Sequence, residues 1–145
     1  EPLHLCVARD HPLALSSPAE LPRFEQLRDE QWAFGVDEHD PSDAGLKELF
    51  AAAGLKPRVG MRLDDYRTIQ RLVGAGLTIA LVPASALDAD APVHSWAFPE
   101  TMLRRDVLLA VRTPIAPRGK VGTVAESRKQ RALAQVVAEI RAAAR

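Results

Sequence analysis

The chain has 145 residues, 47% of them hydrophobic, and its nineteen acidic residues balance nineteen basic ones. That length supports one domain with a real core and is short for two. Balanced charge leaves no overall field to draw in nucleic acid or an anionic membrane, and an aromatic content of 5% argues against a base-stacking platform. The single Cys6 excludes a disulfide framework and a four-ligand zinc site within one chain. It lies in the apolar run Leu3 to Ala8, where it reads as a small buried hydrophobe in a reducing cytoplasm. There is no apolar run of about eighteen residues and no basic segment leading into an apolar one at the start, so neither a membrane span nor a signal peptide is expected. The chain opens on Glu1 rather than Met and enters a strand almost at once, which suggests a piece of a longer protein.

In chain order, residues 3–8 read as a strand, followed by a turn set by Pro12, with Asp10 placed to bond the backbone ahead of it. A short helix is expected within Leu21 to Leu27, then a strand over Gln31 to Val36. The turn Asp37-Glu-His-Asp-Pro-Ser-Asp43 is the most polar in the chain. From Gly45 to Pro83 one unit occurs twice, helix, turn and strand, each helix closing on Ala-Gly-Leu. In the first copy Leu46, Leu49, Phe50 and Ala53 share a helix face, Gly54 stands where a left-handed residue is needed, and Val59, Met61 and Leu63 follow as a strand. In the second, Ile69, Leu72 and Val73 form the stripe, Gly76 ends the helix, and Leu77 to Val82 suits a strand buried on both faces. Ser42 or Asp43 is a candidate N-cap for the first helix, and Asp64 or Asp65 for the second. The repeated unit predicts parallel strands with right-handed crossovers, so the loops after Val36, Leu63 and Val82 share one sheet edge, the edge at which α/β folds bind ligands.

Beyond Val82 a brief helical turn at Pro83 to Ser85 is expected, then a half-buried strand over Val93 to Phe98. Arg105 to Arg112 reads as a last strand, its Val107 to Val111 core near the middle of the sheet. Residues 114–127, rich in Pro, Gly, Arg and Lys, read as a linker between a lobe over residues 1–113 and a helix over 128–145. On that helix Leu133, Val136, Val137, Ile140 and Ala144 form an apolar stripe, with Arg128, Lys129, Arg131, Glu139 and Arg141 around it.

Signatures of catalysis are missing from the sequence. It has no Gly-x-Ser-x-Gly elbow, no His-Glu-x-x-His, no phosphate loop ending in Gly-Lys-Ser/Thr and no Gly-x-Gly-x-x-Gly after a strand. Gly74-Ala-Gly76 ends a helix rather than opening one, so its amides face the wrong way to cradle phosphate. The acidic turn with His39 has neither calcium-loop spacing nor a turn glycine, so a helix-capping loop is the simpler reading than a metal site. The other histidines, His4, His11 and His94, are scattered, and Ser85 has no base beside it. The basic series Arg118, Lys120, Arg128, Lys129 and Arg131 reads as a solvated face rather than a phosphate-binding one. No catalytic residue, metal or cofactor is therefore expected. Two helix N-termini near residues 42 and 65 favour an anion, while Asp37, Asp40, Asp43, Asp64 and Asp65 favour a cation or a hydroxyl-rich ligand, and the sequence leaves the sign open.

The ordered pieces Glu1-Pro-Leu-His-Leu5, Asp10-His-Pro-Leu-Ala14, Ala53-Gly-Leu-x-Pro57, Leu72-Val-Gly-Ala-Gly-Leu-Thr-Ile-Ala-Leu-Val-Pro83 and Arg104-Arg-x-Val-Leu-Leu-Ala-Val-Arg112 resemble the effector-binding region of LysR-type transcriptional regulators. The likeness covers most of the chain and falls on the second of that region's two α/β lobes plus the C-terminal helix. It implies a type 2 periplasmic-binding-protein-like lobe, a mainly parallel sheet flanked by helices, with the terminal helix packing on a first lobe absent here. It also implies a small-molecule effector held between lobes, DNA bound through an N-terminal helix-turn-helix outside this chain, a homodimer or homotetramer, a cytoplasmic location, and no membrane partner or enzyme activity. Carried over by position, the ligand-binding candidates are Val36, Asp37, Glu38, His39 and Ser42, with Asp64, Asp65 and Thr68 beside them. The acidic first loop and the long segment between Leu21 and Trp32 depart from the family pattern. A solute receptor of a transport system is the rival on the same fold, and an enzyme the rival of another class.

Overall fold

The computed structural model describes residues 1–108 and 124–143, which divide into two units, Glu1–Leu108 and Leu109–Arg145. The first unit is one five-stranded sheet in the order β3-β2-β4-β1-β5, with β1 Leu3–Ala8, β2 Gln31–Phe34, β3 Arg58–Arg62, β4 Ile79–Pro83 and β5 Val93–Ala97. β2 pairs in parallel with both β3 and β4, whereas β1 runs antiparallel to β4 and β5. Four strands thus point one way and β1 alone opposes them.

The helices are α1 Pro12–Ser16, α2 Pro41–Ala52 and α3 Tyr66–Gly74, with 3₁₀ turns at Phe24–Leu27 and Ala84–Ala86. Gly54 and Gly76, at φ 71° and 72°, turn the chain out of α2 and α3 as the two Ala-Gly-Leu sequences predict. From β2 the chain crosses outward to β3 through α2, then returns past β2 to β4 through α3. The direction reverses and the helices lie on opposite faces, so both crossovers have the same hand.

Side-chain alternation separates a bulky face from a small one. Leu3, Leu5, Val7, Trp32, Phe34, Ile79, Leu81 and Trp96 point to the face that buries Leu46 and Phe50 of α2. Cys6, Ala33, Ala80 and Val82 point to the other, where Ile69 and Val73 of α3 pack. Phe50 is the hub of the bulky face, edge-on to Phe24 at 5.0 Å and to Trp32 at 5.6 Å between centroids. Cys6 is fully buried, and burial pushes its thiol up to about 12, so it is an inert apolar residue.

Several local expectations change. His11 rather than Asp10 caps the first turn, its Nδ1 accepting from Leu13 N at 3.2 Å. Asp40 caps α2, so neither Ser42 nor Asp43 does, because Pro41 at the first helical position needs no hydrogen-bond partner for its nitrogen. Asp65 caps α3. The expected central strand at Arg105 to Arg112 is not formed over its described part: residues 105–108 lie outside any strand, and Val107 and Leu108 are exposed. The sheet centre is β4, buried at every position, and among the described residues the late segment meets the sheet at the bridge between Arg104 and Pro2. Residues 109–112 and the expected linker up to residue 123 lie outside the described residues.

The second unit contains α4, Val124–Ala143, on which Leu133 and Val136 are exposed and Gln135 Nε2 donates to Glu139 Oε1 at 3.1 Å. The side chains of Arg128, Lys129, Ile140, Arg141 and Ala144 lie outside the described set. Among the described residues no helix is long and apolar enough to cross a membrane.

Replacing Phe50 by Ala empties the hub of the bulky face, and a loss of about 3–5 kcal/mol is expected in urea unfolding of the protein, as for other buried Phe truncations.

Candidate functional site

Parallel pairing places the C-terminal ends of β2 and β3 side by side, and each strand leads directly into a helix. Between the N-termini of α2 and α3 lies a cleft of about 210 Å³. The end of β2 supplies Ala33, Phe34 and Gly35, the first turn of α2 supplies Asp40, Ser42 and Asp43, and the turn into α3 supplies Leu63, Asp64, Tyr66 and Ile69, over a floor of Leu3 and Leu81. This is the crevice at a reversal of strand order where open α/β sheets accept ligands.

Aspartates hold its walls. Asp40 Oδ1 accepts from Ser42 N at 2.8 Å and Asp43 N at 3.3 Å. Asp43 then reaches back, its Oδ2 accepting from Gly35 N at 2.8 Å, while Asp64 Oδ1 accepts from Val36 N at 2.8 Å. The carbonyl of Gly35 is held too, by Arg62 Nη1 at 2.9 Å, and Arg62 Nη2 lies 3.2 Å from Glu38. Asp65 accepts from the amides of Arg67 and Thr68 and from the Thr68 hydroxyl. These bonds, the Thr68 hydroxyl first, draw the Asp65 carboxyl below its ordinary value. Asp43 moves the opposite way. Burial raises its pKa, and the nearby Asp40 charge adds to this against the Gly35 amide, Lys47 and Arg62.

At the rim, burial raises the pKa of Tyr66, whose hydroxyl neighbours Arg105. Arg105 is itself tied to Glu1, with Nη2 at 2.7 Å and Nε at 3.0 Å from Oε1, and Glu1 Oε2 accepts from Ser85 N at 3.0 Å. Burial works to raise the Glu1 pKa, but the bonds from Ser85 and Arg105 outweigh it and leave it lowered.

Of the residues expected from sequence, Ser42 and Asp64 line the cleft. Val36 is exposed and enters only through its amide bond to Asp64. Asp37 and His39 bond each other in the exposed turn, with Asp37 Oδ1 accepting His39 N at 2.9 Å, and Glu38 pairs with Arg62. Asp65 and Thr68 are exposed and occupied with capping α3. Sequence reasoning did not select Gly35, Asp40, Asp43, Leu63 or Tyr66 as lining residues. It also passed over Gln70, fully buried on α3, whose Nε2 donates to Tyr66 O and Ala86 O while Oε1 accepts from Asp88 N, so that the turn after β4 is locked to α3. A lone Gln beside the Ile69 stripe was its only signal. Among the described residues no group of three or more His, Cys, Asp or Glu is arranged to hold a metal ion.

The model of the LysR substrate binding domain matches residues 1–133. The chain belongs to the LysR substrate-binding domain family. Solved structures similar to it include the BenM effector binding domain with its effector benzoate, at 22% identity and TM-score 0.54, with 67% of this chain and 44% of that one covered. The effector binding domain of QuiR in complex with shikimate matches at 22% and 0.55, covering 68% and 45%. The regulatory domain of CcmR from Synechocystis PCC6803 in complex with 2-PG matches at 23% and 0.55, covering 65% and 45%. At such identities the likeness is one of fold, a mixed α/β open sheet with flanking helices. This LysR chain spans less than half the length of each of these effector-binding domains. A search of curated proteins finds no match to it.

Because the folded pKa of Asp43 is raised, the native state holds that proton more tightly than the unfolded chain. The resulting contribution to stability is full below the ordinary value of 3.8 and is lost as pH rises through the folded value. Asp43→Asn keeps an oxygen for Gly35 N without the charge. It is expected to melt above wild type at neutral pH, the difference closing as pH falls toward 3.8 in a series of thermal melts. Asp43→Ala leaves the Gly35 amide without its partner and is expected to lose about 1–2 kcal/mol at every pH.

Proposed function

We propose that this chain is the effector-sensing lobe of a LysR-type transcriptional regulator, with the cleft at the end of β2 as its half of a small-molecule site. The carrying observation is that the family match spans residues 1–133 and that its strand-to-helix loops, braced by aspartates, enclose an open cleft. Relatives of the same fold hold benzoate, shikimate and 2-PG, which supports ligand sensing. The rest of the assembly follows from the family. Residues 1–113 form the second lobe, a linker expected over 114–127 gives way to helix already at Val124, and α4 packs on a first lobe. A helix-turn-helix elsewhere in the protein binds DNA, and the whole acts as a homodimer or homotetramer in the cytoplasm. In this reading the lobe is a binding module, and the cleft carboxylates brace its loops through backbone hydrogen bonds.

A ligand regulates such a protein only through a difference in affinity between two arrangements. Contacts that one lobe makes alone contribute nothing to that difference; contacts completed on closure do. The test is a small-molecule screen by thermal melting of the full-length protein, followed by DNA mobility shifts with any hit, in wild type and in Ser42→Trp. Ser42 lines the cleft and is half-buried, so an indole there fills it. A hit is expected to raise the melting midpoint and change DNA binding in wild type, and to do neither in the variant. A hit that acts equally on both proteins rules out the cleft.

A further inference from the structure

We propose that His11 is a proton-operated latch on the α1 turn, holding the turn while neutral and releasing it when protonated. It lies at the edge of the sheet opposite the cleft, beside a hollow of about 130 Å³ bounded by Ala8 at the end of β1, Gln31 and Ile79 at the starts of β2 and β4, and Glu30. Its Nδ1 accepts from Leu13 N at 3.2 Å, and its side chain is 15% exposed. An amide can donate only to a ring nitrogen that carries no proton, so the capping ring is the neutral tautomer with its hydrogen on Nε2, which lies 3.3 Å from Glu30 Oε1. The next proton has one place to go, Nδ1. An imidazolium has two donors and no acceptor, so once it forms the Leu13 amide faces a second N–H and the cap is lost.

The turn has little else to hold it. α1 has five residues, Pro12 brings no N–H, and the backbone bonds at its two ends run from Leu15 N to His11 O at 3.1 Å and from Ser17 N to Leu13 O at 3.0 Å. The charged groups around the ring favour release. Glu30, from the segment before β2, has His11 as its one ion-pair partner among the described residues, and Asp29 lines the same hollow. Asp29 is itself paired with Arg58 of β3 at 3.7 Å, Arg9 Nη2 donates to Ala91 O at 3.4 Å, and Asp10 precedes His11 in the turn. The charge that a proton brings therefore arrives beside a carboxylate, and protonation trades a helix cap for a partly exposed ion pair instead of stranding a charge.

Amide hydrogen exchange, read residue by residue by NMR on the isotope-labelled full-length protein, tests this between about pH 8 and pH 5, the range over which histidine changes charge. Each rate is divided by its intrinsic value at that pH. Protection of Leu13 N is expected to fall about fivefold on acidification, the scale of one lost cap. Ser42 N, which donates to Asp40 at the start of α2, is the internal reference and is expected to stay flat. In His11→Asn the capping acceptor does not titrate, so Leu13 N is expected to stay protected throughout. The ring nitrogen shifts of His11 at the alkaline end are expected to place the proton on Nε2. Leu13 protection that stays flat in wild type, that falls equally in His11→Asn, or that falls in step with Ser42 overturns the latch, as does a ring proton on Nδ1. Should His11→Asn fail to fold, the comparison of Leu13 with Ser42 within wild type decides. The effector reading is untouched by any of these outcomes, because the latch and the cleft lie at opposite edges of the sheet.

Discussion

The cleft depends on one kind of interaction, a carboxylate accepting from a backbone amide across a strand-to-helix turn. The end of β2 has no ladder partner for Gly35 N and Val36 N, and those donors would carry a penalty if left dry. Asp43 satisfies the first from α2 and Asp64 the second from the turn into α3, so a single dipeptide is tied to two helices that lie on opposite faces of the sheet. Arg62 completes the clamp by taking the Gly35 carbonyl from β3. Charge-assisted bonds of this kind are short and directional, which is what keeps a cleft open where apolar packing alone would close it.

The two faces of the sheet explain why the helices sit where they do. On one side Trp32, Phe34, Leu5 and Ile79 demand depth, and α2 answers with Leu46 and Phe50. On the other, Cys6, Ala33, Ala80 and Val82 are short, so α3 packs with Ile69 and Val73 and its backbone is placed near the strands. Gln70 anchors the turn after β4 from that same helix, through a donor pair and an acceptor that leave no buried amide group unmet. The position of α3 therefore fixes both Asp64, at its N-terminal side, and the 3₁₀ turn where Ser85 meets Glu1.

What could be read from the sequence were the features that repeat locally. The two Ala-Gly-Leu stops, the helix stripes and the all-apolar run into β4 each depend on residues a few positions apart, and these fix the parallel β2-β3-β4 unit and the edge that carries the cleft. The direction of β1 was harder, because an apolar hexamer is the same signal in either orientation and only its ladders with β4 and β5 decide. The segment after Arg104 differs over residues 105–108, which lie outside any strand, and the middle of the described sheet is filled by β4. In the cleft, the acidic turn was visible but the division of labour within it was not. Asp40, Asp43, Asp64 and Asp65 look alike in sequence; which one caps its helix and which reaches across to Gly35 or Val36 is set by where Pro41 and the strand ends fall in space.

The same geometry ties the cleft to the two segments at its flank. Pro2, just before β1, is bridged to Arg104, and Glu1 holds Arg105 side chain to side chain. Leu3, the next residue, is part of the cleft floor, and Arg105 sits beside the Tyr66 hydroxyl at its rim. The Glu1 and Arg105 pair, whose bond lengths are those of a strong, partly sheltered contact, therefore fastens the start of β1 to the late segment at the rim of the cleft, beside the Tyr66 hydroxyl.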